Sequence, residues 1–161
     1  MEKVKAFLEV TEEESETVSS VAVRPHRLGR EMSFYDDFAL RGIRVLEARP
    51  GFALCSFKVP TRLTNRKGEL ASGAIANLVD LVGMSVLPVK GSINVSVDIS
   101  ISYLSTAKLH DEVEITSRML GLRGGYAGTI VVLMNKTTGE IIAEGRHSLF
   151  CKHKKQPISK L

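Results

Sequence analysis

One carboxylate, Asp80, stands inside an otherwise apolar run that extends from Leu70 to Met84. A charge that its surroundings would bury is costly unless it is paired or put to use, so Asp80 either caps or pairs within the core or does acid–base or nucleophilic work. A polar loop, Thr64-Asn65-Arg66-Lys67-Gly68-Glu69, precedes this run, and Ala71, Ser72 and Gly73 lead into it. Behind it, the segment from Ile93 to Tyr103 alternates strictly, with Ser96 on its polar side. Taken alone, Asn65 is an ordinary turn residue and Ser96 an ordinary strand serine. Other chemistries find less support. His26, His110, His147 and His153 have no ligand or triad spacing and read as structural or surface residues. No Gly-x-Ser-x-Gly elbow is present. Cys55 and Cys151 lie far apart with no C-x-x-C partner, which predicts free thiols in a reducing compartment and no zinc site.

The elements that must hold these residues follow from periodicity. Apolar residues from Ala74 to Val86 cover more than one face of a helix spanning about residues 71–86, so that helix is expected to be wrapped by other structure, with Pro88 as its stop. Ile93, Val95, Val97, Ile99, Ile101 and Tyr103 predict one face of a long strand. Further strands are predicted over 43–48, 52–59, 112–120, 126–135 and 140–151, with turns at Arg49-Pro50-Gly51, Arg123-Gly124-Gly125 and Thr137-Thr138-Gly139. Ahead of them, Ser33 to Gly42 reads as a short capped helix. Val4, Phe7 and Leu8 predict one helical turn's contact, and Thr11 before Glu12-Glu13-Glu14 predicts a second short helix. The fold class is therefore α+β: an antiparallel sheet of five or six strands that must curl round one long central helix, which is the description of a hotdog fold. The expected organisation is an N-terminal extension over 1–41, the hotdog domain over 42–152 and a C-terminal tail over 153–161.

At 161 residues the chain is of single-domain size, and a hydrophobic content of 43% suffices for a core. Its net charge of +4 is spread along the sequence, which argues against a nucleic-acid partner and leaves room for a phosphate-bearing small ligand. No segment is apolar over eighteen residues, and the charged start lacks a signal-peptide core, so neither a membrane span nor secretion is expected. The sequence closes on Ser159-Lys160-Leu161, which at a free C-terminus is the address read by the peroxisomal import receptor. The expected location is the peroxisome, with the cytoplasm as the alternative.

Several stretches resemble the small hotdog-fold acyl-CoA thioesterases, and most of all the branch containing acyl-CoA thioesterase 13. They are Thr64-Asn65, Gly68 to Gly73, Asn77-Leu78-Val79-Asp80, Val95 to Ser105, Ala107-Lys108-Leu109, Asn135 to Gly139 and Ala143-Glu144-Gly145-Arg146-His147. The resemblance spans about residues 42–152. It implies thioester hydrolysis of a fatty or aromatic acyl-CoA, with no cofactor beyond the CoA of the substrate. It also implies Asp80 as general base or nucleophile, Asn65 as a positioning group and Ser96 as the residue that orients water. The oxyanion would be met by a backbone N–H of Ser72 or Gly73. Arg62, Arg66, Lys108 and Arg123 are candidates to steer a CoA phosphate, although such residues are commonly just solvated.

The sequence departs from the family at the start of the helix, where histidine-glycine-glycine is replaced by Ala71-Ser72-Gly73. The imidazole is lost and a Cβ is added, which raises a second reading: a weak or inactive hotdog protein that binds acyl-CoA or acyl groups. A hydratase would want a histidine cooperating with an aspartate beside the helix, and the helix region contains none. Ser72 and Asp80 are separated by about 12 Å along one helix at 1.5 Å per residue, so they cannot meet the same carbonyl. If they cooperate they come from facing subunits, which predicts a dimer, and the resemblance implies a dimer of dimers.

Overall fold

The computed structural model describes residues 2–9, 11–21, 33–87 and 92–153, and the chain divides into two compact units, 1–35 and 36–161. His26, Pro88, most of the tail and the Ser159-Lys160-Leu161 triplet lie outside the described residues. The first unit carries α1 (Glu2–Leu8) and α2 (Glu12–Ser19). Both helices form where the sequence places them, and Val4, Phe7 and Leu8 are exposed among the described residues. Helix α3 (Phe34–Leu40) starts in the first unit and ends in the second, where Gly42 stops it at φ +99°, a conformation that glycine adopts without strain.

The second unit continues with β1 (Arg44–Arg49), β2 (Phe52–Lys58), a 3-10 turn (Thr61–Leu63), α4 (Ser72–Ser85), β3 (Ser92–Tyr103), β4 (Glu112–Arg123), β5 (Tyr126–Asn135) and β6 (Ile141–His153). The six strands form one antiparallel sheet in the order β1-β2-β4-β5-β6-β3. Helix α4 packs against β3, β4, β5 and β6, so the sheet folds round it as the apolar pattern requires. Leu78 and Val79 are sealed against Val113, Ile115, Val131, Leu133, Ile142 and Ala143. Gly145 in β6 permits this approach, because a Cβ there would lie 2.5 Å from Cγ1 of Val79. The helix is covered on one side: Ala74, Ile75, Leu78, Val79, Val82 and Gly83 are buried, whereas Asn77, Asp80, Leu81 and Met84 are only half-buried. The single chain therefore does not wrap the helix on every side.

Strand β3 departs from the strict alternation its sequence suggests. Ser96 pairs with Leu149 and Asp98 with Ser148, so Val97 is an extra residue opposite no partner. Such a bulge reverses the phase of the side chains. Val95 and Val97 remain exposed at 52% and 57%, while Ile99 and Ile101 are half-buried and pack on the core. The six odd-numbered residues do not share one face.

The guanidinium of Arg62 donates to the carbonyls of Phe38 and Arg41 and lies 5.8 Å from the Phe38 ring centroid. These bonds tie Arg62 to the end of α3. Burial first, and the nearby Arg41 second, push its pKa down. Cys55 and Cys151 are buried free thiols. No described helix is long and apolar enough to cross a membrane.

Candidate active site

Asp80 projects from the second half of α4, on the side the sheet leaves partly open, and its side chain is 36% exposed. The burial anticipated from its apolar neighbours is thus incomplete, because helical periodicity turns position 80 away from the Leu78–Val79 core face. The Ser96 hydroxyl donates to Oδ1 at 2.9 Å. The bulge at Val97 makes this contact possible, since it puts Ser96 in phase with the buried Leu149 opposite. With its hydrogen committed to the carboxylate, the Ser96 oxygen keeps its lone pairs for a water.

A third side chain joins the pair. Nε2 of His147, on β6, lies 3.3 Å from Asp80 Oδ1 but takes part in no hydrogen bond among the described residues, so the contact is one of proximity. His147 is 1% exposed. Burial lowers its pKa against the opposing pull of Asp80 and Asp98, which keeps the ring neutral at physiological pH. The centre is therefore a carboxylate flanked by a hydroxyl and a neutral imidazole. Both of these contacts fall on Oδ1.

The other anticipated residues gather elsewhere. Asn65 Oδ1 accepts the backbone N–H groups of Lys67 and Glu69, and its amide donates to Glu69 Oε2 at 3.3 Å. This closes the loop, which is tied to the start of α4 through Thr64 pairing with Leu70 and through the Ala71 N–H donating to the Leu63 carbonyl. Asn65 is thus a turn residue in this chain, as its type and setting allow. Ala71 caps α4 with no side-chain hydrogen bond, and the first helical bond inside the start is Ile75 N–H to Ala71 O. The N–H groups of Ser72, Gly73 and Ala74 precede that bond and have no acceptor within the helix. A Cβ on Gly73 would meet nothing within 4 Å, and the Tyr103 hydroxyl lies 3.4 Å from the Ser72 carbonyl. The fold brings Asp80 and Ser96 together and places Asn65, Ser72 and Gly73 at the opposite end of the helix.

The same arrangement of sheet and helix recurs in the crystal structure of zebrafish thioesterase superfamily member 2. That chain is 36% identical with a TM-score of 0.67, and the match covers 72% of this chain and 85% of the other. By sequence, mouse acyl-coenzyme A thioesterase 13 is 39% identical over 114 residues, which is 70% of this chain and 81% of the relative. The chain belongs to the acyl-CoA thioesterase 13 family. The human protein of the same name agrees, with 41% identity over 108 residues, or 66% of this chain and 77% of that one. No protein-family model matches the chain.

Membership establishes the hotdog fold and an acyl-CoA thioesterase, a thioester hydrolase. It decides against the hydratase reading. The premise of that exclusion was nonetheless wrong, because β6 supplies the histidine that the helix region lacks. His147 was read as structural or surface. Strand phase is the signal that could have found it: along 140–151, His147 falls in step with Gly145, Leu149 and Cys151, all buried, and a histidine in core phase needs a polar neighbour.

Proposed function

We propose that this thioesterase uses Asp80 as a general base and Ser96 to hold the water that Asp80 activates. The observation that carries this reading is the 2.9 Å hydrogen bond from Ser96 to Asp80 Oδ1. Water between the Ser96 oxygen and Asp80 Oδ2 loses a proton to the carboxylate as its oxygen attacks the thioester carbonyl carbon. Negative charge then grows on the carbonyl oxygen, where uncommitted N–H groups at the start of a helix stabilise it. Collapse of the tetrahedral intermediate breaks the C–S bond, the CoA thiolate takes the proton, and the carboxylic acid leaves. Neutral His147 contributes a dipole beside the carboxylate without neutralising it. The occupied Oδ1 favours general-base catalysis over direct attack by Asp80.

The donors at Ser72 and Gly73 belong to the start of α4, about 12 Å along the axis from the Asp80 of the same chain. The complete site therefore joins Asp80 and Ser96 of one subunit to Gly73, Ser72 and Asn65 of another. Strand β3 lies at an edge of the sheet and presents exposed Val95 and Val97, which suits pairing with a second copy, and the half-covered α4 has a surface to bury there. Sedimentation of the purified chain tests for a dimer or dimer of dimers, and a monomer would defeat the shared site. The substrate class is a fatty or aromatic acyl-CoA. Thiol release from a panel of short, long and aromatic acyl-CoAs identifies it. Binding without release would instead support the second reading, favoured by the absence of a capping side chain at Ala71, that the chain retains acyl-CoA without turning it over.

The triplet Ser159-Lys160-Leu161 supports delivery to the peroxisome through the import receptor. A fluorescent fusion that leaves the triplet exposed should be punctate, and diffuse cytosolic fluorescence would overturn this.

A further inference from the structure

We propose that Thr129 is a positioning residue that holds the His147 ring, its hydroxyl donating to Nδ1 while the ring carries its proton on Nε2, facing Asp80. Thr129 on β5 and His147 on β6 are direct partners in the antiparallel register. Both side chains face the core, at 0% and 1% exposure. Directly opposed side chains on one face lie within reach of each other. Thr129 Oγ1 and His147 Nδ1 are each buried without a hydrogen-bond partner in the described structure. They also converge on the same place: a Cβ on Gly83 of α4 would lie 2.9 Å from Thr129 Oγ1 and 3.2 Å from His147 Nδ1. At that place the helix has no side chain to offer, and its carbonyls are engaged in the helix. Each atom is therefore the other's complement, and a turn of the threonine about χ1 with the broad χ2 of the ring closes the bond.

The direction of the bond follows from charge. A neutral imidazole has one N–H and one lone pair. If Nδ1 held the proton and donated to Thr129, Nε2 would present its lone pair to the Asp80 carboxylate 3.3 Å away, which is repulsive. With the hydroxyl as donor, Nδ1 accepts and the Nε2–H points its positive end at Oδ1. The charge beside the ring, Asp80 from α4, favours a hydrogen on that side, Asp98 of β3 adds a smaller attraction, and β5 contributes the uncharged hydroxyl. Gly83 is part of the device, since any side chain there would separate the two atoms.

The effect on turnover rests on the Asp80 reading above, but the tautomer does not, so the two can fail separately. The test is a long-range proton–nitrogen correlation spectrum of the full chain with labelled histidine, recorded with His147 neutral for wild type, Thr129→Val and Thr129→Ser. The wild type should show the Nε2–H form with its Nδ1 resonance moved upfield by the accepted hydrogen bond, the valine variant the same tautomer without that Nδ1 displacement, and the serine variant the wild-type pattern. In parallel, kcat for thiol release should fall at least about tenfold in the valine variant with KM held, and serine should restore it. A wild-type ring protonated on Nδ1 overturns the proposal even if the valine variant does not fold. An Nδ1 resonance unmoved in folded Thr129→Val overturns it as well. If the spectra behave as expected but no variant nor wild type hydrolyses acyl-CoA, the assignment of Asp80 falls and the Thr129 bond stands.

Discussion

The two ends of α4 differ in how much of their surroundings the chain supplies. Near Asp80 the fold brings a hydroxyl from β3 and an imidazole from β6 to one carboxylate oxygen. At the start, Ala71 provides no capping side chain and Gly73 faces open space. In the proposed mechanism a protomer would supply the acid–base half of the site from one end of this helix and the oxyanion donors of a second site from the other. Two glycines express the same contrast. Gly145 is required by packing within the chain, because Val79 would stand 2.5 Å from a Cβ there, whereas a Cβ at Gly73 meets nothing within 4 Å among the described residues.

Substitution of these glycines should separate folding from function. Gly73→Ala should leave the melting temperature unchanged or slightly raised, as alanine is the better helix former, and should lower kcat by about tenfold by crowding the approach of the thioester to the retained N–H. An unaltered kcat would mean that the open space at the helix start serves something other than the reaction. Gly145→Ala should do the reverse, costing about 1–3 kcal/mol of stability by overpacking, with turnover per folded molecule nearly kept. Chemical denaturation and active-site-normalised rates distinguish the two. Within the Asp80 end, Ser96→Ala removes a hydrogen bond to a charged group and should slow thiol release about tenfold to a hundredfold without unfolding the chain.

The smallest expected effect is on stability against pH. Burial holds the His147 pKa below its ordinary value, so the unfolded chain takes up a proton first as pH falls through about 6.5. Stability is full above that pH and declines below it until the folded ring is protonated too. Burial raises the pKa of Cys55 from 9.0, so its contribution is intact below pH 9.0 and is lost as pH rises further. Denaturation midpoints should form a plateau between these limits. His147→Gln should flatten the acid side and leave the alkaline side alone.

Much of the fold was legible because each element carries its own period. The apolar run around Leu78 and Val79 specifies the central helix, and alternation specifies the strands to within a few residues. The site was legible only in part. Asp80 stood out as a charge among apolar residues, but its half exposure depends on where the sheet ends, which local pattern does not encode. The contact from Ser96 depends on the bulge at Val97, invisible in a sequence that alternates without a break. His147 comes from the last strand, and its proximity to Asp80 is a product of strand order, with β6 placed beside β3. Asn65 shows the opposite limit: its amide is occupied within its own loop, as the turn chemistry of the sequence allows.

The most direct measurement compares thiol release by wild type and Asp80→Asn on the same acyl-CoA panel, with circular dichroism and sedimentation recorded for both. Asparagine keeps the size of the side chain and removes its basicity. The account predicts a folded variant of unchanged oligomeric state whose rate is lower by at least about 10²-fold. A folded variant that hydrolyses as fast as the wild type would contradict Asp80 as the base.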